Sequence, residues 1–321
     1  MIQYLAALPA IISLFIYAIL FSIECGATLF VFAPGLLGAG EDGDRMVRGY
    51  VNPAWEATNV FLIFALLWLI AFFPVAVPVW GHALILPFLL FLIIMGIRSV
   101  GMLYVFYKEG TNRVIKLLLV VASFAAPMAL AGGVLPFFIT GITPYGATQL
   151  FLAFHLACVA FFATLFISSS FFRYLAARNK LRTTGSLDSL TFGAMIAFIA
   201  IIFLSFLAFK NIMPRIASGT QAYLPLIAAL AIINLIFAPL PTKRCSGARF
   251  VLALALFGAT FFAIMLAQLP YVIYPAMTVF STFTDPASAK IMLEASGIAA
   301  IVILPSLGLL YHLVTTKKDP D

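Results

Sequence analysis

Nine stretches of this chain run for about 20 residues or more with almost no charge, and that constrains what it can fold into more than any motif does. A helix needs about 20 apolar residues to cross a hydrocarbon core of about 30 Å, so each stretch can be counted as a span. A closed barrel would instead show segments of about ten residues alternating polar and apolar, and none appears. Hydrophobic residues make up 64% of the chain and charged residues 9%, against roughly 45–50% and about 25% in soluble domains. That balance, with a mean hydropathy of +1.16, excludes a water-soluble globule, a disordered tail and a disulfide-stapled secreted module. The expectation is an all-α integral membrane protein.

The spans are predicted over 4–32, 57–80, 82–107, 114–138, 147–173, 187–210, 222–241, 249–275 and 290–314. The second and third touch, which predicts a tight hairpin at Trp80, Gly81 and His82. Charge orients the bundle. The connections after spans one, three, five and seven carry Arg45, Arg48, Lys108, Arg113, Lys116, Arg173, Arg178, Lys180, Arg182, Lys243, Arg244 and Arg249, and Lys317 and Lys318 lie on the same side. The opposite face receives Lys210, Arg215 and Lys290. This asymmetry predicts an N-terminus outside and a C-terminus in the cytoplasm. It also accounts for the net charge of +7 through topology and anionic lipid, without a nucleic-acid partner.

The first apolar run lacks a basic flank and is too long for a signal peptide, so it is expected to remain as a helix. Cys25, Cys158 and Cys245 are too widely spaced for a disulfide framework or a metal knuckle. Leu135–Ile139 and Leu269–Ile273 echo each other at the ends of spans four and eight. The echo suggests a first four-helix bundle over 1–140, a second over 141–275, and a peripheral ninth helix with its tail over 276–321.

Charges inside spans are costly and need a reason. Glu24 lies about 12 Å deep from the cytoplasmic end of span one, and Arg98 about 13 Å deep in span three, at 1.5 Å per residue. Equal depth and opposite sign predict an ion pair. A second reading adds Glu56, at the start of span two on the same side. Glu56 with Asn59, and Glu24 with Thr28, each share a helical face. Carboxylates stepped inward from the surface suit proton movement, with Glu56 as mouth and Glu24 as inner relay. Of the histidines, His82 and His155 could ligate a haem between them only if spans three and five touch, and His312 lies at the other end. Lys290 and Glu294 are spaced for a plain helical ion pair, while Asn234 and Gln268 suit interhelical hydrogen bonds. No P-loop, nucleophile elbow or metal-binding helix motif is present, so the chain has no catalytic constellation of its own.

Asn52, Pro53, Ala54, Trp55 and Glu56, followed by Ala71, Phe72, Phe73 and Pro74, resemble a segment of cytochrome bd oxidase subunit II. Arg98, Ser99, Val100 and Gly101 are similar to that family's helix-three arginine element. The stretch from Pro270 through Asp285 to Pro305 and Tyr311 is similar to its C-terminal pattern. The resemblance implies nine helices and a subunit II that pairs with a subunit I bearing b- and d-type haems. Together the two oxidise quinol and reduce oxygen to water in the plasma membrane of a prokaryote. It implies that this chain binds no haem itself, supplies scaffold and part of a proton route, and has lipid, quinol and possible bound-quinone contacts; a small single-helix accessory subunit is a further partner to expect. The motif acids fall at Glu56 and Glu24, while a second helix-one acid is Thr28 here and the acid after the helix-three arginine is Leu103. A stand-alone proton- or ion-coupled transporter and an inert assembly partner of another redox complex remain as alternatives.

Overall fold

The computed structural model describes residues 2–37, 40–107, 112–141, 146–181, 185–238 and 242–316, without the side chains of 44, 51–57, 106–107, 211–212, 242–244, 299–300, 302–304, 307–308 and 310–316. Ten α-helices run through the described residues: α1 (Ile2–Phe32), α2 (Gly40–Phe72), α3 (Val77–Tyr107), α4 (Arg113–Thr140), α5 (Ala147–Arg178), α6 (Gly185–Ile212), α7 (Pro214–Gln221), α8 (Leu224–Phe237), α9 (Thr242–Gln268) and α10 (Pro286–Thr316). Between α9 and α10 a two-stranded hairpin pairs β1 (Tyr271–Ile273) antiparallel with β2 (Met277–Thr278). Among the described residues six helices are long and apolar enough to cross a membrane, or seven if α7 and α8, bent by 65°, form one span.

Four of the differences from the sequence expectation have a clear local reason. The first is the start of α2, which opens at Gly40, well before residue 57, with Glu41 and Asp42 in its first turn, where acids complement the helix dipole. Hydropathy registers only the apolar part of such a helix; its polar first half is helical without being a span. The second boundary is the α2–α3 hairpin, which turns at Phe73–Ala76, while Trp80, Gly81 and His82 lie inside α3. Pro74 lacks the N–H that α2 would need to continue, and it starts a one-turn 3₁₀ segment instead. Trp80 is buried against Phe138, ring centroids 5.8 Å apart.

The third difference lies in the predicted span over 222–241, which is the shorter α8, preceded by α7. Pro214 starts α7 at its first position and Pro225 lies in the first turn of α8, so a break between them is favoured over one continuous helix. The fourth is the end of α9 at Gln268, short of residue 275, because Pro270 cannot extend it. Its echo partner Pro136 instead sits inside α4, which continues to Thr140, so the sequence repeat has no structural counterpart at that point. Gly141 then closes α4 in a left-handed conformation (φ 65°), its N–H donating to Phe137 O at 2.8 Å. A side chain there would also collide with the Tyr274 carbonyl.

Arg215 on α7 ties these irregular parts together. Its guanidinium donates to Ala267 O (3.1 Å), Gln268 O (3.3 Å) and Gln268 Oε1 (2.8 Å), satisfying carbonyls left open at the end of α9. It also lies over the rings of Tyr274 and Tyr271, at 4.3 and 4.9 Å. Gln268 Nε2 in turn donates to Phe138 O on α4 at 2.6 Å, an interhelical bond of the expected kind. Arg215→Leu is therefore expected to cost about 1.5–3 kcal/mol, the range for charge-assisted hydrogen bonds. A denaturant midpoint in micelles that does not move would show that the latch carries no stability.

At the centre is α5, which packs on α1, α4, α6 and α9. Phe30 and Phe172 meet there with centroids 5.1 Å apart, among Ile167, Phe198 and Leu256. Gly26 lets α1 approach α5 closely, because a Cβ at this position would run into the Ser168 side chain. By contrast α3 is peripheral: 17% of its apolar window is buried against 39% for α1. Its Ile85, Leu86, Leu89, Leu90 and Ile93 point outward, a surface suited to lipid or another apolar chain.

Candidate functional site

The deepest polar feature joins three helices. Glu24 on α1 and Arg98 on α3 are 1% and 0% exposed, and the Arg98 Nη2 donates to Glu24 Oε1 in a direct ion pair. The guanidinium also donates from Nε to the Ser123 hydroxyl on α4 at 3.2 Å. Matching depth in the sequence predicts the pair; Ser123 was not foreseen. Its only signal is a small polar residue in an apolar helix, a type that often bonds across helices.

Apolar and aromatic groups wall the pair: Tyr17, Phe21, Cys25, Phe61, Phe91 and Ala126 form one cluster beside it. Arg98 Cζ is 5.9 Å from the Phe21 ring centroid. In such surroundings a carboxylate and a guanidinium hold their charges only through each other and through hydrogen bonds. Among the described residues the Arg98 Nη1 and the Tyr17 hydroxyl are buried without a hydrogen-bond partner. Buried polar groups of that kind are rare enough to require an explanation.

The remaining predicted residues divide. Thr28 is 1% exposed, but its hydroxyl donates to Cys25 O at 2.7 Å, within its own helix and not toward Glu24. Asn59 is half-buried on α2, the helix that packs most extensively against α1, and Thr58 beside it is fully buried. The Glu56 side chain lies outside the described residues, although its backbone is in α2.

His82 and His155 lie on different helices. His82 is exposed on α3 and His155 half-buried on α5, where its Nδ1 lies 3.3 Å from Phe151 O. Between these two helices lies α4, which packs against both α3 and α5. The His312 side chain lies outside the described residues. No group of three His, Cys, Asp or Glu side chains suited to a metal occurs among the described residues. Lys290 and Glu294 form the expected surface ion pair at 3.9 Å. Asn234 Nδ2 donates to Leu230 O (2.8 Å) and across to Leu252 O on α9 (3.1 Å), as expected of a lone amide. Asp285 caps α10, accepting from the N–H groups of Ser288 (3.1 Å) and Ala287 (2.8 Å). Hydrogen bonding from the Ser288 side chain foremost, then from the Ser288 and Ala287 N–H groups, holds its carboxyl below the ordinary range.

Comparison with known proteins agrees with this architecture over nearly its full length. The family model "Cytochrome bd terminal oxidase subunit II" matches residues 2–314. A Bacillus subtilis (strain 168) protein assigned as a cytochrome bd menaquinol oxidase subunit II is 26% identical, covering 95% of this chain and 93% of that protein. A chain of the solved bd oxidase from Geobacillus thermodenitrificans superposes with a TM-score of 0.81 at 20% identity, covering 99% of both chains, which establishes a shared fold.

Proposed function

Since the chain belongs to the cytochrome bd terminal oxidase subunit II family, we propose that its part in quinol oxidation and oxygen reduction is to brace a haem-bearing subunit I and to lead protons toward it along α1 and α2. It is a subunit of a membrane quinol oxidoreductase and holds no complete catalytic site. The observation that carries the proton reading is the buried Glu24–Arg98 pair, with the Arg98 Nη1 and Tyr17 hydroxyl left open to further hydrogen bonding beside it. Those two donors are where water could reach the pair, since buried water settles on otherwise unsatisfied polar groups.

In this proposal Glu56 collects protons at the cytoplasmic surface, Asn59 and Thr28 carry the intervening hydrogen bonds, and Glu24 is the inner relay. Arg98 positions Glu24 between transfers by donating from Nη2 to its carboxylate. The b- and d-type haems belong to subunit I, and quinol, lipid and a retained quinone are further contacts of the complex. A menaquinol is the donor named for the Bacillus subtilis relative. Nine spans, two four-helix bundles divided near residues 140 and 275, a separate last helix, an outside N-terminus and a small single-helix accessory subunit complete the proposal. The prokaryotic plasma membrane is where such a complex works.

The test is proton uptake by the assembled oxidase in proteoliposomes, with quinol-driven oxygen consumption read in parallel. Glu24→Gln and Glu56→Gln are each expected to slow both by about a hundredfold, the lower end of the range for positioned proton-transfer groups. If both acids can be neutralised together with uptake unchanged, the chain is an inert scaffold and the route lies elsewhere.

A further inference from the structure

Tyr17, on α1, is 2% exposed, and among the described residues its hydroxyl is buried without a hydrogen-bond partner, as is the Arg98 Nη1. Tyr17 precedes Glu24 by seven residues, close to two helical turns. The two therefore share a face of α1, about 10.5 Å apart along its axis. Phe91 precedes Arg98 by the same seven residues on α3. The Phe21 ring joins the two levels: it stacks on Tyr17 with centroids 5.0 Å apart, meets Phe91 edge-on at 6.3 Å, and has Arg98 Cζ 5.9 Å from its centroid. Tyr17 lies within electrostatic reach of both Glu24 and Arg98.

We propose that Tyr17 is a further proton carrier: a water held between the Arg98 Nη1, the Tyr17 hydroxyl and the Glu24 carboxylate extends the route past Glu24 to the middle of α1. This step rests on the proton reading of Glu24 given above. The first reason is burial. Tyr17 stands midway along α1 (Ile2–Phe32), the level furthest from water on either side. A phenylalanine would fill the same space and stack equally on Phe21, so packing supplies no reason for a hydroxyl there, and a hydroxyl buried without a partner is costly. The second reason is the company it keeps. Phe21, Phe61, Phe91 and Ala126 surround it, with Cys25 the one other member of the cluster able to hydrogen-bond, and a thiol is a weak donor and acceptor. The strong polar groups within reach of the hydroxyl are those of the ion pair.

The chemistry of each group suits its place. A water bonded to these three groups has the usual complement of partners for a buried water. Protonated Glu24 gives its proton to the water, the water passes one of its own to the Tyr17 oxygen, and the tyrosine releases its original hydroxyl proton on the far side. Water and tyrosine end with the protons they began with, and Glu24 is left as the carboxylate that Arg98 Nη2 holds. A hydroxyl can pass a proton in this way because it is both donor and acceptor; the guanidinium, which donates only and does not deprotonate, orients the water from Nη1 and carries nothing. The stack on Phe21, with Phe91 against that ring's edge, fixes the phenol, so the O–H alone turns between transfers.

Tyr17→Phe and Glu24→Gln would be compared with the parent in the assembled oxidase in proteoliposomes, in light and heavy water, with the thermal unfolding midpoint read alongside. Tyr17→Phe is expected to keep the midpoint and to slow proton uptake about tenfold, the worth of one hydrogen bond on a rate. It should also raise the solvent isotope effect on oxygen consumption, because the interrupted transfer becomes the slow step. Uptake at the parent rate would overturn the proposal. So would slower uptake with a lowered midpoint and an unchanged isotope effect, which would make the hydroxyl a packing feature. Glu24→Gln separates this step from the reading beneath it. If that variant slows uptake and Tyr17→Phe does not, protons leave Glu24 by another way and the Tyr17 step alone falls; if neither slows it, the proton reading of Glu24 fails and the Tyr17 step with it.

Discussion

Replacing Arg98 with leucine is expected to unfold or disassemble this subunit, with a loss of about 3–5 kcal/mol, because it leaves the Glu24 carboxylate buried without its counter-charge. Neutralising the partner as well should recover most of that loss. Glu24→Gln combined with Arg98→Leu removes both charges and exchanges a costly ion pair for a neutral amide beside Ser123. Chemical denaturation of the purified complex, read by helical circular dichroism, gives the three stabilities. A single variant as stable as the parent would mean that the pair is not what holds α1, α3 and α4 in register. The double variant has a second use. If it folds yet loses proton uptake, structure and conduction have been separated, and Glu24 serves both; if uptake survives, Glu24 serves packing alone.

Gly26→Val is expected to be almost as damaging for a purely steric reason. Its Cβ would overlap the Ser168 side chain, and Thr164 O lies 3.4 Å away, so α1 and α5 must separate for the substitution to fit. Overpacking of this kind costs about 1–3 kcal/mol. Here it also loosens the helix that carries Glu24 two residues earlier. Ser168→Gly added to Gly26→Val should restore part of the stability, because it vacates the space that the new side chain needs. Ser168 spends its hydroxyl on Thr164 O at 2.6 Å, within its own helix, so its removal breaks no bond between helices. Equal midpoints for Gly26→Val and the parent would show that the two helices can part without cost.

How far the site could be foreseen depended on the kind of signal each residue carries. Glu24 and Arg98 stand out because each is alone in a long apolar run, and their depths follow from counting residues at 1.5 Å apiece. Ser123 could not be chosen from the other small polar residues of the spans, since what singles it out is which face of α4 turns toward α3. Thr28 shows the converse. Its spacing from Glu24 is right for a shared face, yet its hydroxyl bonds to the Cys25 carbonyl, an option that every buried threonine in a helix has. Arg173 and Arg249 entered the sequence argument only as topological charge, and their meeting with Asp188 across three helices depends on packing. The displaced breaks at Phe73–Ala76 and at Gln268 arise where proline ends a helix inside a run that hydropathy reads as continuous.

From its residues alone this chain determined that it would lie in a membrane as long helices and that one acid and one base would be buried together. Those properties follow from the free energy of moving a window of about 20 residues out of water, which is local and additive along the chain. Only the tertiary structure decided that Ser123 would complete the ion pair, that Arg215 would close the end of α9, and that Arg173 and Arg249 would meet Asp188. Each of those joins residues from helices far apart in sequence. In a lipid environment, apolar faces do not by themselves choose their partners; close packing and a few polar contacts do.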